Sequence, residues 1–125
     1  MTYVKKPVIM VVDDSRSILE TAKDFLGDSY EVVLVKNGFS ALAAVQDRQP
    51  DLLFLDVMMP QLEGFETCLA IRANPEFADL PIIILSSKDS PFDKARGAMM
   101  GCDAYLTKPF KKEDLLDTVR RYLRR

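Results

Sequence analysis

Two adjacent acids, Asp13 and Asp14, close the apolar run VIMVV, and a third, Asp56, closes a second apolar run, LLFL. Strand ends are where an open α/β sheet presents its functional groups. Three carboxylates gathered there repel one another unless a cation joins them. Their oxygens suit a hard divalent ion, above all Mg2+, which takes few protein ligands and keeps waters. One of the three acids would then be a nucleophile toward a phosphoryl group held by that ion. Two further runs end in useful groups: PIIIL in the hydroxyl pair Ser86-Ser87, and AYLT in Lys108-Pro109. Acid trio, hydroxyl and ammonium together are the parts needed to accept and clamp a phosphoryl group.

Such groups meet only if the chain between them folds to bring the run ends together. The spacing predicts strands at VIMVV (8–12), EVVLV (31–35), LLFL (52–55), PIIIL (81–85) and AYLT (104–107). They are short, apolar and rich in β-branched residues, as strands buried on both faces should be. Apolar residues at helical spacing predict helices over 15–26, 40–48, 65–73, 92–100 and 112–123, with stops at Gly27, Pro50, Pro75 and Gly101. Five strands alternating with five helices require parallel pairing through right-handed crossovers. That is too few units for an eight-stranded barrel, which leaves an α/β fold with one open parallel sheet covered by helices on both faces.

Composition narrows the chemistry. The 125 residues, 48% of them hydrophobic, suit one domain with a core that needs no staples. A net charge of -2 gives no general attraction to nucleic acid or membranes. The basic stretch VRRYLRR reads as a solvated helix end, where cations oppose the helix dipole. With no histidine, imidazole acid–base catalysis and imidazole metal ligation are excluded, and any histidine phosphodonor has to be another protein. The two cysteines, Cys68 and Cys102, lack CxxC spacing and read as thiols in a reducing compartment, not as a disulfide framework. VIMVV is too short for a signal-peptide core or a membrane span, so a cytoplasmic location is expected.

The stretches VVDDS (11–15), DVMMPQLEG (56–64), PIIILSS (81–87) and YLTKPF (105–110) give the chain a close resemblance, from about residue 8 to 123, to the receiver domains of two-component response regulators of the chemotaxis type. The resemblance implies a flavodoxin-like strand order 2-1-3-4-5, which sets Asp13, Asp14 and Asp56 at the topological switch point. It implies that Asp56 accepts the phosphoryl group. Asp13 and Asp14 would hold Mg2+ beside Asp56, together with the backbone carbonyl of Met58. Ser86 would be the switch hydroxyl, Tyr105 the aromatic rotamer switch, and Lys108 the partner of the phosphoryl oxygens. The implied donor is a histidine kinase, a phosphotransfer protein or a small acyl phosphate. The implied output is a downstream protein that reads the face of helix four, strand five and helix five, through Lys94, Met99, Tyr105 and Lys112.

On this reading residues 1–125 are a single receiver domain with no output domain. The chain would be a signalling protein, not an enzyme with turnover: it catalyses its own phosphoryl acceptance. Its self-dephosphorylation should be slow, because Met58 and Lys88, which flank the path of water in this family, carry no group to orient that water. Other classes fit less well. A flavodoxin-like cofactor binder needs a glycine- and hydroxyl-rich loop where this chain has DDSRS, and an aspartate-nucleophile phosphohydrolase needs a DxD after strand one. A degenerate receiver that acts by contacts alone is opposed by the full set of acids, hydroxyl and lysine. At finer grain, SSKDSPFDKARGAMMGCDAYLTKPF and FETCLAIRANPEF look like single-domain receivers of chemotaxis-like systems that control type IV pili and twitching motility.

Overall fold

A computed structural model describes residues 5–57, 64–87 and 101–123. Five parallel strands, β1 Val8–Val12, β2 Glu31–Val35, β3 Leu52–Asp56, β4 Ile82–Ser86 and β5 Ala104–Thr107, form one sheet in the order β2-β1-β3-β4-β5. Four helices lie among the described residues: α1 Arg16–Leu26, α2 Gly38–Arg48, α3 Gly64–Arg72 and α4 Lys112–Tyr122. The helix expected over 92–100 lies outside the described residues, as do Met58, Lys88, Lys94 and Met99. The expected strand and helix limits hold to within two residues. One element was not anticipated, a 3-10 turn at Pro75–Phe77, capped by the Asn74 side chain accepting from the Glu76 N–H. The proline that ends α3 also starts this turn, because its fixed φ suits a first helical position.

The sheet divides the core by simple alternation. Met10, Val12, Leu53, Leu55, Ile82 and Ile84 point to one face, where α2 and α3 supply Ala41, Val45, Cys68 and Ile71. Ile9, Val11, Leu52, Phe54, Ile83 and Leu85 point to the other, against Leu19, Ala22 and Leu26 of α1 and Leu115 and Val119 of α4. The three central strands are buried throughout, while the four residues of edge strand β5 are only partly covered. Double-sided burial is why these strands read as unbroken apolar runs, with no polar residue until the last position.

Candidate functional site

Register brings the acids together. β1 pairs with β3 from Ile9↔Leu52 to Val12↔Leu55, so Asp13 and Asp56 are the next residues on neighbouring strands. Each continues the alternation that points to the α1–α4 face, Asp13 after Ile9 and Val11, Asp56 after Leu52 and Phe54. The Asp13 N–H still donates to the Val35 carbonyl at 3.0 Å, which extends the β1–β2 ladder by one step before the chain turns. Ser15 then caps α1, its hydroxyl accepting from the Ile18 N–H at 3.4 Å. The cap is Ser15, and both preceding acids are left to the pocket.

Asp13 and Asp56 are buried, at 0% and 1% exposure, while Asp14 is exposed. One carboxylate oxygen from each of the three lies within 4.8 Å of the others. Lys108 reaches the same pocket: its ammonium donates to Asp13 Oδ2 at 2.8 Å and stands 3.5 Å from Asp56 Oδ1. The other Asp13 oxygen accepts from the Ser15 N–H at 2.9 Å. Burial opposes the charge on Lys108, but the hydrogen bond and charge of Asp13, followed by those of Asp56, outweigh it and raise the lysine's pKa above the usual 10.5.

Lys108 is held on both sides. Its own N–H donates to the Ser86 carbonyl at 2.7 Å, one step beyond the β4–β5 pair Ser86↔Thr107. The Lys108-Pro109 peptide is cis, and the next residue, Phe110, is buried with its ring edge-to-face against Phe25 of α1 at 6.3 Å. That aromatic contact ties the loop to α1, whose N-terminus follows the acid pair.

Ser86 is fully buried as the last residue of β4, beside Asp56 through the register Asp56↔Leu85. Tyr105 pairs with Ile84 and packs against the α2–α3 side of the core. By strand alternation Ser86 and Tyr105 share that face, whereas Asp56 and Lys108 follow the opposite one. The sequence-predicted residues Asp13, Asp14, Asp56 and Lys108 therefore meet in one pocket, with Ser86 at its edge and Tyr105 farther along the sheet. The Met58 carbonyl lies outside the described residues.

The donor set fits a hard cation. Three carboxylates with one ammonium leave net negative charge in a partly buried space, which oxygen-seeking Mg2+ would neutralise. The two buried acids already have partners, so a cation would add to existing interactions at Asp13 or share its oxygens with Lys108.

Residues that motif reading passed over hold the opposite ends of the strands. Asp51 Oδ2 accepts from the Val8 N–H and Asp103 Oδ2 from the Ile82 N–H, each at 2.8 Å. Arg72 of α3 donates to the Gly101 carbonyl, the Phe77 carbonyl and the Asp103 carboxylate at 2.9, 2.9 and 2.8 Å. An acid just before an apolar run, as in PDLLFL and CDAYL, is the signal that could have flagged the two aspartates. Nothing in the spacing of Arg72 announced its three partners.

A five-stranded doubly wound parallel sheet with an acid pocket at its switch point defines a class of signalling domain, and comparison with known proteins agrees. The response regulator receiver domain family matches residues 9–120, and the chain belongs to that family. It is 46% identical over 116 residues to Protein PilG of Pseudomonas aeruginosa, covering 92% of this chain and 86% of PilG. It is 42% identical to the response regulator MprA of a Mycobacterium species, covering 94% of this chain but only 50% of MprA, so it spans about half the length of that relative. Among solved structures it resembles the chemotaxis protein CheY4 of Vibrio cholerae, with a TM-score of 0.91, 37% identity, and coverage of 94% of this chain and 99% of CheY4. Among the described residues no helix is long and apolar enough to cross a membrane.

Proposed function

We propose that this receiver accepts a phosphoryl group on Asp56 from a histidine kinase or phosphotransfer protein in a Mg2+-dependent reaction, and signals by phosphorylation-dependent contact with another protein. The observation that carries this reading is the pocket itself: a buried Asp56 with the Lys108 ammonium 3.5 Å away and Asp13 and Asp14 beside it. Asp13, Asp14, Asp56 and the Met58 carbonyl would hold Mg2+. When bound, the ion would neutralise charge on the phosphoryl oxygens and the acids.

The chain's own groups do the rest. An Asp56 oxygen attacks phosphorus as the bond to the donor nitrogen breaks. Lys108, already paired with Asp13 and near Asp56, exchanges part of that pairing for the incoming phosphoryl oxygens. The Ser86 hydroxyl, at the adjacent strand end, donates to another of them. Ser86 and Tyr105 lie on one face of neighbouring strands, so an inward move of the hydroxyl would be felt by the ring. Tyr105 and Lys112, with Lys94 and Met99, would form the face that a downstream protein reads. The identity to PilG, the likeness to a chemotaxis protein and the sequence strings shared with single-domain receivers support a place in a chemotaxis-like system controlling type IV pili.

The test is labelling with a small acyl phosphate and Mg2+, followed by intact mass. One phosphoryl group is expected on the wild type and none on Asp56→Asn. Undiminished labelling of that variant would refute the assignment.

A further inference from the structure

Cys68 and Cys102 stand 34 residues apart in sequence, yet their sulfurs are 2.7 Å apart in the fold, within about 0.7 Å of the roughly 2.05 Å of an S–S bond. Neither sulfur is in a disulfide in this structure. Cys68 is buried in α3, and Cys102 is half-buried just before β5. The approach is held by a second set of contacts. Arg72, one turn beyond Cys68 on the same helix, grips both neighbours of Cys102: the Gly101 carbonyl at 2.9 Å and the Asp103 carboxylate at 2.8 Å. Gly101 has φ +88, and a Cβ there would come within 3.2 Å of the Arg72 Cγ, so glycine both permits the turn and lets the chain lie against the arginine. From this geometry we infer that Cys68 and Cys102 form a reversible dithiol–disulfide site that responds to hydroperoxides and ties α3 to the start of β5.

The chemistry balances without a cofactor. Hydrogen peroxide, a small oxidant, transfers one oxygen to the half-buried Cys102. The thiol becomes a sulfenic acid, the O–O bond breaks and one water leaves. The Cys68 sulfur then attacks the Cys102 sulfur, and the hydroxyl leaves as a second water with the Cys68 proton. Each sulfur loses one electron and the peroxide gains two. In the dithiol state the hydrogen bond shared with Cys102, reinforced by the charge of Arg72, lowers the pKa of Cys68 against the effects of its burial and of Asp103. Once Cys102 is oxidised, the charge of Arg72 still favours the Cys68 thiolate that attacks it. The same hydrogen bond, with burial, raises Cys102, so the first step should need peroxide in excess.

The experiment is treatment of the whole chain with hydrogen peroxide, then intact mass and peptide mapping without reductant. Expected is a monomer lighter by two hydrogens with a Cys68–Cys102 cross-linked peptide, reversed by dithiothreitol. Closing this loop should raise Tm by on the order of 10 °C. Cys102→Ser should abolish the link, and Arg72→Ala should slow its formation several-fold by releasing residues 101–103 from α3. Sulfinic or sulfonic acids on unlinked cysteines, disulfides only between molecules, no oxidation of either thiol, or a link that lowers Tm would each overturn the inference.

Discussion

Replacing Lys108 by alanine should destabilise the metal-free protein by an amount set by its two acid partners and limited by protonation. At an effective dielectric near 20, contacts of 2.8 Å to Asp13 and 3.5 Å to Asp56 correspond to about 6 and about 5 kcal/mol of attraction. Part of this offsets the cost of drawing the ammonium, 16% exposed in its side chain, out of water. Without the lysine, two buried carboxylates and Asp14 face one another with no cation. The fold then has a cheaper course, which is to protonate one acid. From an ordinary aspartate pKa near 3.9 this costs about 4 kcal/mol at pH 7 and about 1.5 kcal/mol at pH 5. Lys108→Ala should therefore lose roughly 2–4 kcal/mol at pH 7 without Mg2+, and at most about 1.5 kcal/mol at pH 5.

The sign follows from the direction of each shift. In the variant a folded-state carboxylate pKa lies above its unfolded value, so the penalty is full above that raised value and disappears as pH falls below the unfolded one. In the wild type the raised Lys108 pKa works the other way. Its stabilisation is complete below the ordinary 10.5 and is lost as pH climbs through the raised value. Urea denaturation followed by circular dichroism at pH 5 and 7, with and without Mg2+, measures all of this. A loss under 1 kcal/mol at pH 7, or one of equal size at both pH values, would refute the reasoning.

Asp14 is the exposed member of the trio, so Asp14→Asn should fold as well as the wild type while losing most of the Mg2+ effect on Tm. In the wild type Mg2+ should add about 2.7 kcal/mol of stability at a hundredfold excess of ion over its dissociation constant, and a Tm that ignores Mg2+ at ten millimolar or so would count against the site. For the output face, Lys112→Glu and Tyr105→Ala should each reduce the preference of a partner for the phosphorylated form, a coupling of roughly 1–3 kcal/mol in the intact protein. Binding titrations in which both variants match the wild type would place the face elsewhere.

The five strands and the helices at 15–26, 40–48, 65–73 and 112–123 were legible in the sequence because a strand buried on both faces leaves an unbroken apolar run, and a helix against one face leaves a stripe. The run ends also marked Asp13, Asp14, Asp56 and Lys108, because each is a charged residue at the end of an apolar run. Which groups touch was decided by the tertiary structure. Strand register makes Asp13 and Asp56 neighbours, and the Phe110–Phe25 contact with the Ser86 carbonyl sets Lys108 nearer to Asp13 than to Asp56. The cysteines show the difference most sharply. Their spacing of 34 residues gives no sign of pairing, because the distance between α3 and the start of β5 depends on how a helix packs across a sheet. In the fold Arg72 closes that distance from the same helix that carries Cys68.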